Sequence, residues 1–268
     1  MTQEIARQSR MAVQLATKQA QVSTGKRLQR ASDDPAATAR IADLTRAQSN
    51  DNARARNIGL GIGMAAQADG QLRNMSDLLA RTQELAISAS SSALNPSDRA
   101  NIAQEIRAMA DEIDAMASVK SSTGEALFSN GPANLIRFDD DVAFAPVPSR
   151  QDIFETGGVA ISQIMRDAAS AIAAGDQPLT GAALTAVGGA VNHAADARAA
   201  VGVTATRLDR LQDAVAQRGI SLTEERSKLE DTDLSSAIAE LNGMTLTLEA
   251  AQAAFARINR RTLMDFLA

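Results

Sequence analysis

Ser23-Thr24-Gly25-Lys26-Arg27, followed shortly by Ser32-Asp33-Asp34-Pro35, interrupts two stretches of helical periodicity near the N-terminus. Gly25 can adopt the left-handed backbone that closes a helix. A Ser/Asp cluster ahead of a proline marks a helix start, because proline has no N–H to leave unpaired in the first turn. Upstream, Met11, Leu15 and Val22 share one helical face with Ile5 and Ala12 beside them, while Arg7, Arg10 and Lys18 lie elsewhere. The spacing predicts a first helix to about Val22 and a second from Pro35. Ile41, Leu44, Ile58, Ile62, Ala65, Leu72, Met75 and Leu79 carry the second to about Ser88. Gly59, Gly61 and Gly63 inside it each cost roughly 1 kcal/mol of propensity relative to Ala, yet the flanking Ile residues keep the period.

Beyond Ser88, Ser90-Ser91-Ser92 through Asn95-Pro96-Ser97 reads as a turn, with Asn95 or Ser97 able to cap the next helix. Ile102, Ile106, Met109, Ile113 and Met116 then alternate steps of four and three, a heptad-type seam that Gly124 is expected to end. From Glu125 to Phe154 the apolar positions alternate, three of the six prolines occur and Asp139-Asp140-Asp141 appears, so a short hairpin or two is expected. Helical spacing resumes at Ile161, Ile164, Ala168 and Ile172, breaks at Gly175-Asp176-Gln177-Pro178 and returns from Ala182. Leu208, Leu211, Val215, Leu222 and Leu229 form another seam. From Leu234, the residues Leu241, Met244, Leu248, Ala251, Phe255 and Ile258 share a face, with Ile238 beside them.

The fold class is therefore mainly α: an elongated antiparallel helical bundle or coiled coil formed by the N- and C-terminal segments, with a small β-hairpin region in the middle. Residues 1–40 and 228–268 are expected to form a terminal helical domain, 41–124 and 157–227 a helical core, and 125–156 a short β and loop region. Composition agrees, because six Phe with no Trp and no Tyr leave the apolar faces to short aliphatic side chains that let helices approach closely. The net charge of −5 has its basic residues interspersed with acidic ones, with no basic stripe of the kind nucleic acid needs. Cysteine is absent, so disulfides, thiolate metal sites and a Cys nucleophile are excluded. No apolar run reaches membrane-spanning length, and the polar start lacks the apolar core of a general secretory signal.

Candidate chemistry is sparse. His193 is the one histidine and lacks a Cys, or a Glu three or four residues on, so it reads as a helix-surface residue and not a metal ligand. Asp139-Asp140-Asp141 lacks the Gly and Glu that a calcium loop places at its sixth and twelfth positions, and reads as a solvated loop. Asp111 and Glu112 read as the wet face of an amphipathic helix. No catalytic set, phosphate loop, metal site or cofactor site is found, and the chain is not expected to be an enzyme.

The motifs met along the way are similar, in order and spacing, to those of the bacterial flagellin family. Beyond the two N-terminal strings they are Gly70-Gln71-Leu72, Glu84-Leu85-Ala86, Asp98-Arg99, Glu105-Ile106, Glu112-Ile113, Gly124 with Leu127-Phe128, Leu229-Glu230-Asp231 and Gln252. Within this family one subunit type builds the filament and another forms the hook-filament junction. Asp33-Asp34-Pro35, Ala173-Ala174-Gly175-Asp176 and the ending Leu263-Met264-Asp265-Phe266-Leu267 resemble the junction type more. A short filament flagellin is the alternative, and another secreted coiled-coil protein of needle or translocator type a second one. The lead ahead of Thr24-Gly25 is shorter than the family's, which implies a trimmed chain or an internal start codon.

What the resemblance implies is assembly and not catalysis. The subunit would be secreted unfolded through the flagellar type III channel and fold at the distal end as its terminal helices pair, an extracellular flagellar component with no membrane insertion. Its implied partners are further copies of itself, other axial proteins (hook-associated protein 1 and flagellin) and an export chaperone for the C-terminal region. Met11, Leu15, Val22, Leu248, Phe255 and Ile258 are the expected assembly interface. Arg81, Leu85 and Glu105 occupy the positions that an innate immune receptor reads on filament flagellins.

Overall fold

The computed structural model describes the backbone of residues 2–90 and 94–267, with side chains described in that range except at 2, 4, 5, 178 and 258–267. Ser91 and Ser92, from the expected turn, lie outside the described residues. The elements are α1 (Thr2–Thr24), α2 (Pro35–Ala89), α3 (Pro96–Met116), β1 (Ile136–Asp139), β2 (Val142–Phe144), α4 (Arg150–Phe154), β3 (Glu155–Thr156), β4 (Val159–Ala160), α5 (Ile161–Ala174), α6 (Gln177–Glu230) and α7 (Leu234–Leu267). The chain is thus mainly helical, with two small antiparallel strand pairs, as its periodicity implies. It divides into two compact units: residues 1–50 with 218–268, and residues 51–217.

Local chemistry sets most helix ends. Gly25, at φ 70°, closes α1 and donates its N–H to the Gln21 carbonyl at 2.9 Å. The two aspartates before Pro35 divide the work of the following turn. Asp33 accepts from the N–H groups of Gln29 (3.0 Å) and Arg30 (2.8 Å), tightening the loop. Asp34 accepts from Ala37 N–H at 2.9 Å and so caps α2, and that bond holds its carboxyl below the ordinary carboxylate range. Asn95 caps α3 by accepting from Asp98 N–H at 2.8 Å.

Two boundaries differ from the sequence expectation. Helix α3 stops at Met116 and does not continue to Gly124. Leu127 and Phe128 are both buried, and to bring them back to the core the chain turns through Ser121–Glu125, with Gly124 at φ 85°. A tertiary demand overrides the remaining helical propensity there. Helix α6 begins at Gln177 and not near Ala182, because Asp176 accepts from Leu179 N–H at 3.1 Å and caps the new helix directly after Gly175 closes α5. The second hairpin, β3–β4, and the short α4 with its Ser149–Asp152 capping box complete the middle.

In the 51–217 unit, Leu72, Met75 and Leu79 of α2, Ile106 and Ile113 of α3, Met165 and Ile172 of α5, and Val201 and Leu208 of α6 form one buried cluster. Alanines 65, 68, 86, 103, 110, 169, 190 and 194 lie buried between them, which is how a core this poor in aromatics closes. Asp69 of α2 accepts from Arg198 Nε of α6 at 2.8 Å and from Arg73 Nη2 at 3.0 Å. The hydrogen bond from Arg198 lowers its pKa. Asp111 is exposed, as its place on a wet face implies, and pairs there with Arg166 of α5 at 2.8 Å, together with Asp114.

The β1–β2 hairpin docks on this core through one glycine. Phe138 is fully buried, and a Cβ built at Gly61 would stand 2.9 Å from its ring and 3.1 Å from Leu208 Cδ2. Phe144 packs on Phe138 with ring centroids 4.5 Å apart and carries the Arg207 guanidinium 4.0 Å above its face. Arg54 donates to Asp139 (2.9 Å), Asp140 (2.7 Å) and Asp51 (2.8 Å), so two of the three clustered aspartates belong to an ion-pair network.

Gly61→Val is expected to lower the thermal midpoint by several degrees, since overpacking a rigid ring costs on the order of 1–3 kcal/mol. Gly59→Ala and Gly63→Ala, which meet nothing within 4 Å, should leave it unchanged or raise it. A calorimetric comparison of the three variants checks this. The depressed pKa of Asp69 stabilises the fold above the unfolded carboxylate value, near pH 3.9, and this is lost as pH falls through the folded value. Asp69→Asn should therefore lower the midpoint at pH 7 and show a shallower loss than the parent in thermal melts between pH 5 and pH 3.

Candidate assembly interface

Helices α1 and α7 pack antiparallel within the 1–50 and 218–268 unit, with Lys18 Nζ and Glu240 Oε2 paired at 2.6 Å. Along α7 the covered positions are Ala237, Leu241, Met244, Leu248, Ala251 and Phe255, alternating steps of four and three as in a coiled-coil seam. Along α1 they include Met11, Leu15, Lys18 and Val22. The structure thus brings Met11, Leu15, Val22, Leu248 and Phe255 onto one shared seam. The Ile258 side chain lies outside the described residues.

The seam is only half covered. Among the described residues no α1 side chain is buried, and on α7 only Ala237 is, at 3 % exposed. The same periodicity in α3 gives Ile106 and Ile113 that are fully enclosed. A two-helix pair covers one strip of each partner and leaves the flanks of the apolar residues in solvent. A cleft of about 300 Å³ remains beside the seam, lined by Met11, Gln14, Glu240, Gly243, Met244 and Thr247. Ile238, expected beside the seam, is exposed.

The Ser23–Arg27 string acquires a role that sequence reading missed. Arg27 N–H donates to the Glu230 carbonyl at 2.7 Å and Thr232 N–H donates to the Gly25 carbonyl at 2.9 Å, so the turns after α1 and before α7 pair as a short antiparallel bridge. Lys26 Nζ pairs with Glu230, and Arg27 Nη2 donates to the Leu229 carbonyl at 2.9 Å. Next to this clasp, Arg40 of α2 meets Glu225 of α6 at 2.6 Å, and Gln48 bridges Thr223 and Arg226. The only sequence trace of the clasp is the pairing of a Gly-Lys-Arg string at one end with Leu-Glu-Asp at the other.

The remaining candidates fall elsewhere. Arg81 Nε donates to Glu105 Oε1 at 3.1 Å, an exposed ion pair between α2 and α3, whereas Leu85 is turned into the core at 7 % exposed. Two of the three residues of the expected receptor patch are thus presented together and the third is not. His193, expected on the surface, is half-buried on α6, with Nε2 enclosed and without a hydrogen-bond partner among the described residues. Glu112 is exposed on α3.

The N-terminal helical region of bacterial flagellin matches residues 2–132 and the C-terminal helical region matches residues 184–267. The chain belongs to the bacterial flagellin family. The flagellin of Listeria monocytogenes is 23 % identical over 256 residues, covering 92 % of this chain and 88 % of that protein. Flagellar hook-associated protein 3 of Escherichia coli is 22 % identical over 276 residues, covering 88 % and 87 %. The fold is shared with a candidate flagellar hook-associated protein from Vibrio parahaemolyticus, at TM-score 0.69, 17 % identity and coverage of 74 % of this chain and 100 % of that one. It is shared also with Xanthomonas campestris FlgL, at TM-score 0.57, 15 % identity and coverage of 70 % and 99 %. The matched flagellin regions hold both seam helices and both halves of the clasp.

Leu15→Asp places a charge in the seam, and the cost of desolvating it is expected to open the α1–α7 pair. Limited trypsin digestion should then cut at Arg10, Lys18 and Arg257 at least tenfold faster, while the 51–217 unit keeps its resistance.

Proposed function

We propose that this flagellin-family chain is a structural subunit of the bacterial flagellum that assembles at the hook-filament junction through its paired terminal helices. The observation that carries this reading is the half-covered α1–α7 seam, an apolar surface that gains full burial only against neighbouring subunits. On this reading residues 1–40 and 228–268 are the assembly domain, 41–124 and 157–227 the core, and 125–156 a small docked β region. Met11, Leu15, Val22, Leu248, Phe255 and Ile258 form the assembly layer.

The role is structural, with no catalytic step and no cofactor. The chain works outside the cell after export through the flagellar type III channel. Its partners are further copies of itself, hook-associated protein 1 and flagellin, with an export chaperone holding the C-terminal region beforehand. Among the described residues no helix is long and apolar enough to cross a membrane.

The junction reading draws support from the resemblance to hook-associated protein 3 over most of both chains and from the Asp33-Asp34-Pro35 turn. The match to the Listeria flagellin, which also covers most of both chains, favours a second reading, a short filament subunit. Stoichiometry separates them. Purified chain added to hooks that carry hook-associated protein 1 is expected to add a short ring and stop, as counted by electron microscopy and quantitative mass spectrometry. Continued growth into long filaments would establish the filament reading instead.

A further inference from the structure

Asparagine is followed by glycine twice, at Asn130-Gly131 and at Asn242-Gly243, and the two steps sit in opposite backbone settings. Asn242 and Gly243 lie well inside α7, where the Gly243 N–H is held in the helical ladder. Asn130 and Gly131 are both exposed, in the bend between the buried Phe128 and β1. Nothing in the fold asks for glycine at 131. Its φ lies outside the left-handed region, and a Cβ built on it meets nothing within 4 Å. The effect of the missing side chain is to leave the Gly131 nitrogen unshielded beside the Asn130 carboxamide.

The polar contacts of the bend bear on both of those groups. Gly131 N–H donates to Ser129 Oγ at 3.2 Å, a hydroxyl that can pass a proton to water, and not to a backbone carbonyl. Arg150 Nη1 donates to Asn130 Oδ1 at 3.4 Å. Arg150 opens α4 behind the Ser149–Asp152 capping box, and its N–H donates to the Ser129 carbonyl at 2.9 Å. The guanidinium is therefore tethered beside the bend through its own backbone. A cation on the carboxamide oxygen stabilises the negative charge that develops there when a nucleophile adds to Cγ.

We propose that Asn130 is a self-modification site, where the Gly131 nitrogen attacks the Asn130 side-chain carbon with Arg150 as electrostatic aid. The nucleophile and its target belong to adjacent residues, so the attack is unimolecular. Hydroxide takes the Gly131 N–H proton, the bond from nitrogen to Cγ forms, and the oxyanion faces the Arg150 guanidinium. Collapse of this adduct breaks the Cγ–Nδ2 bond, and the nitrogen takes a proton from water and leaves as ammonia. The product is a succinimide ring. Water then opens the ring at either carbonyl to give aspartate or isoaspartate, so the net change consumes water and yields a carboxylate and ammonium. No oxidant, reductant or cofactor is needed. The new carboxylate stands opposite Arg150, and the isoaspartate form also lengthens the main chain by a methylene between Phe128 and β1. At Asn242 the helical backbone must open before the Gly243 nitrogen can reach Cγ.

The full chain is incubated at mildly alkaline pH, folded or in denaturant, and tryptic peptides 121–137 and 229–257 are followed by mass spectrometry for deamidation and isoaspartate. In the folded chain Asn130 is expected to react at least fivefold faster than Asn242 and to speed up as pH rises. In denaturant the two rates should converge. Gly131→Ala should slow Asn130 at least tenfold with the melting point unchanged, since the added methyl meets open space. Arg150→Gln should slow it at least threefold in the folded chain but not in denaturant, and Arg150→Lys should recover part of the loss. Equal rates at Asn130 and Asn242 in the folded chain would overturn the site. A parental rate in folded Arg150→Gln, or the same slowing in denaturant, would overturn the part assigned to Arg150.

Discussion

Two backbone hydrogen bonds, from Arg27 N–H to Glu230 and from Thr232 N–H to Gly25, fix where the chain enters and leaves its terminal helices. They hold Gly25 and Asp231 side by side, so α1 and α7 start from a common point and run back along each other in one register. That register places Lys18 against Glu240 and brings Met11 and Met244 to the same cleft beside the seam. Each bond contributes only about 1 kcal/mol net. Their larger effect is entropic, because closing the long loop between the two ends is already met by the folded 51–217 unit and the clasp confines what remains. Most helical stability in proteins comes from packing an amphipathic face, so α1 depends on the apolar strip it shares with α7.

The two units use the same heptad spacing to different ends. In the 51–217 unit four helices close over Ile106, Ile113, Leu72 and Met165, and the surplus of alanine lets their axes come near enough to exclude water. In the terminal unit the same spacing has one partner helix per strip and stays half covered. An apolar surface of that kind is a liability in an isolated monomer and a source of free energy in a polymer. Assembly follows from the periodicity together with the number of neighbours each helix finds within its own chain.

Features that depend on neighbouring residues in sequence were legible in advance. Pro35 opens α2 and Asn95 caps α3 as their side chains dictate, and Gly25 and Gly175 close the helices before them. The a/d spacing of Met11, Leu15, Val22, Leu248 and Phe255 identified the faces that meet. What escaped was non-local. Gly61 looked like a propensity defect, and its reason is the Phe138 ring more than seventy residues away. The end of α3 was misplaced because Leu127 and Phe128 pull the chain back to the core before Gly124 is reached. The clasp between Lys26 and Asp231, and the burial of Leu85, likewise depend on which distant segments meet.

The central claim is that the terminal helix pair, and not the better packed 51–217 unit, supplies the surface that assembly covers. Hydrogen exchange read by mass spectrometry on free chain and on hook-incorporated chain tests it most directly. The expected result is fast exchange across residues 2–24 and 234–267 in the monomer, slowing by at least two orders of magnitude on incorporation, with little change across 96–116. Equal protection of the terminal helices in both states, or slowing confined to the 51–217 unit, would contradict the account.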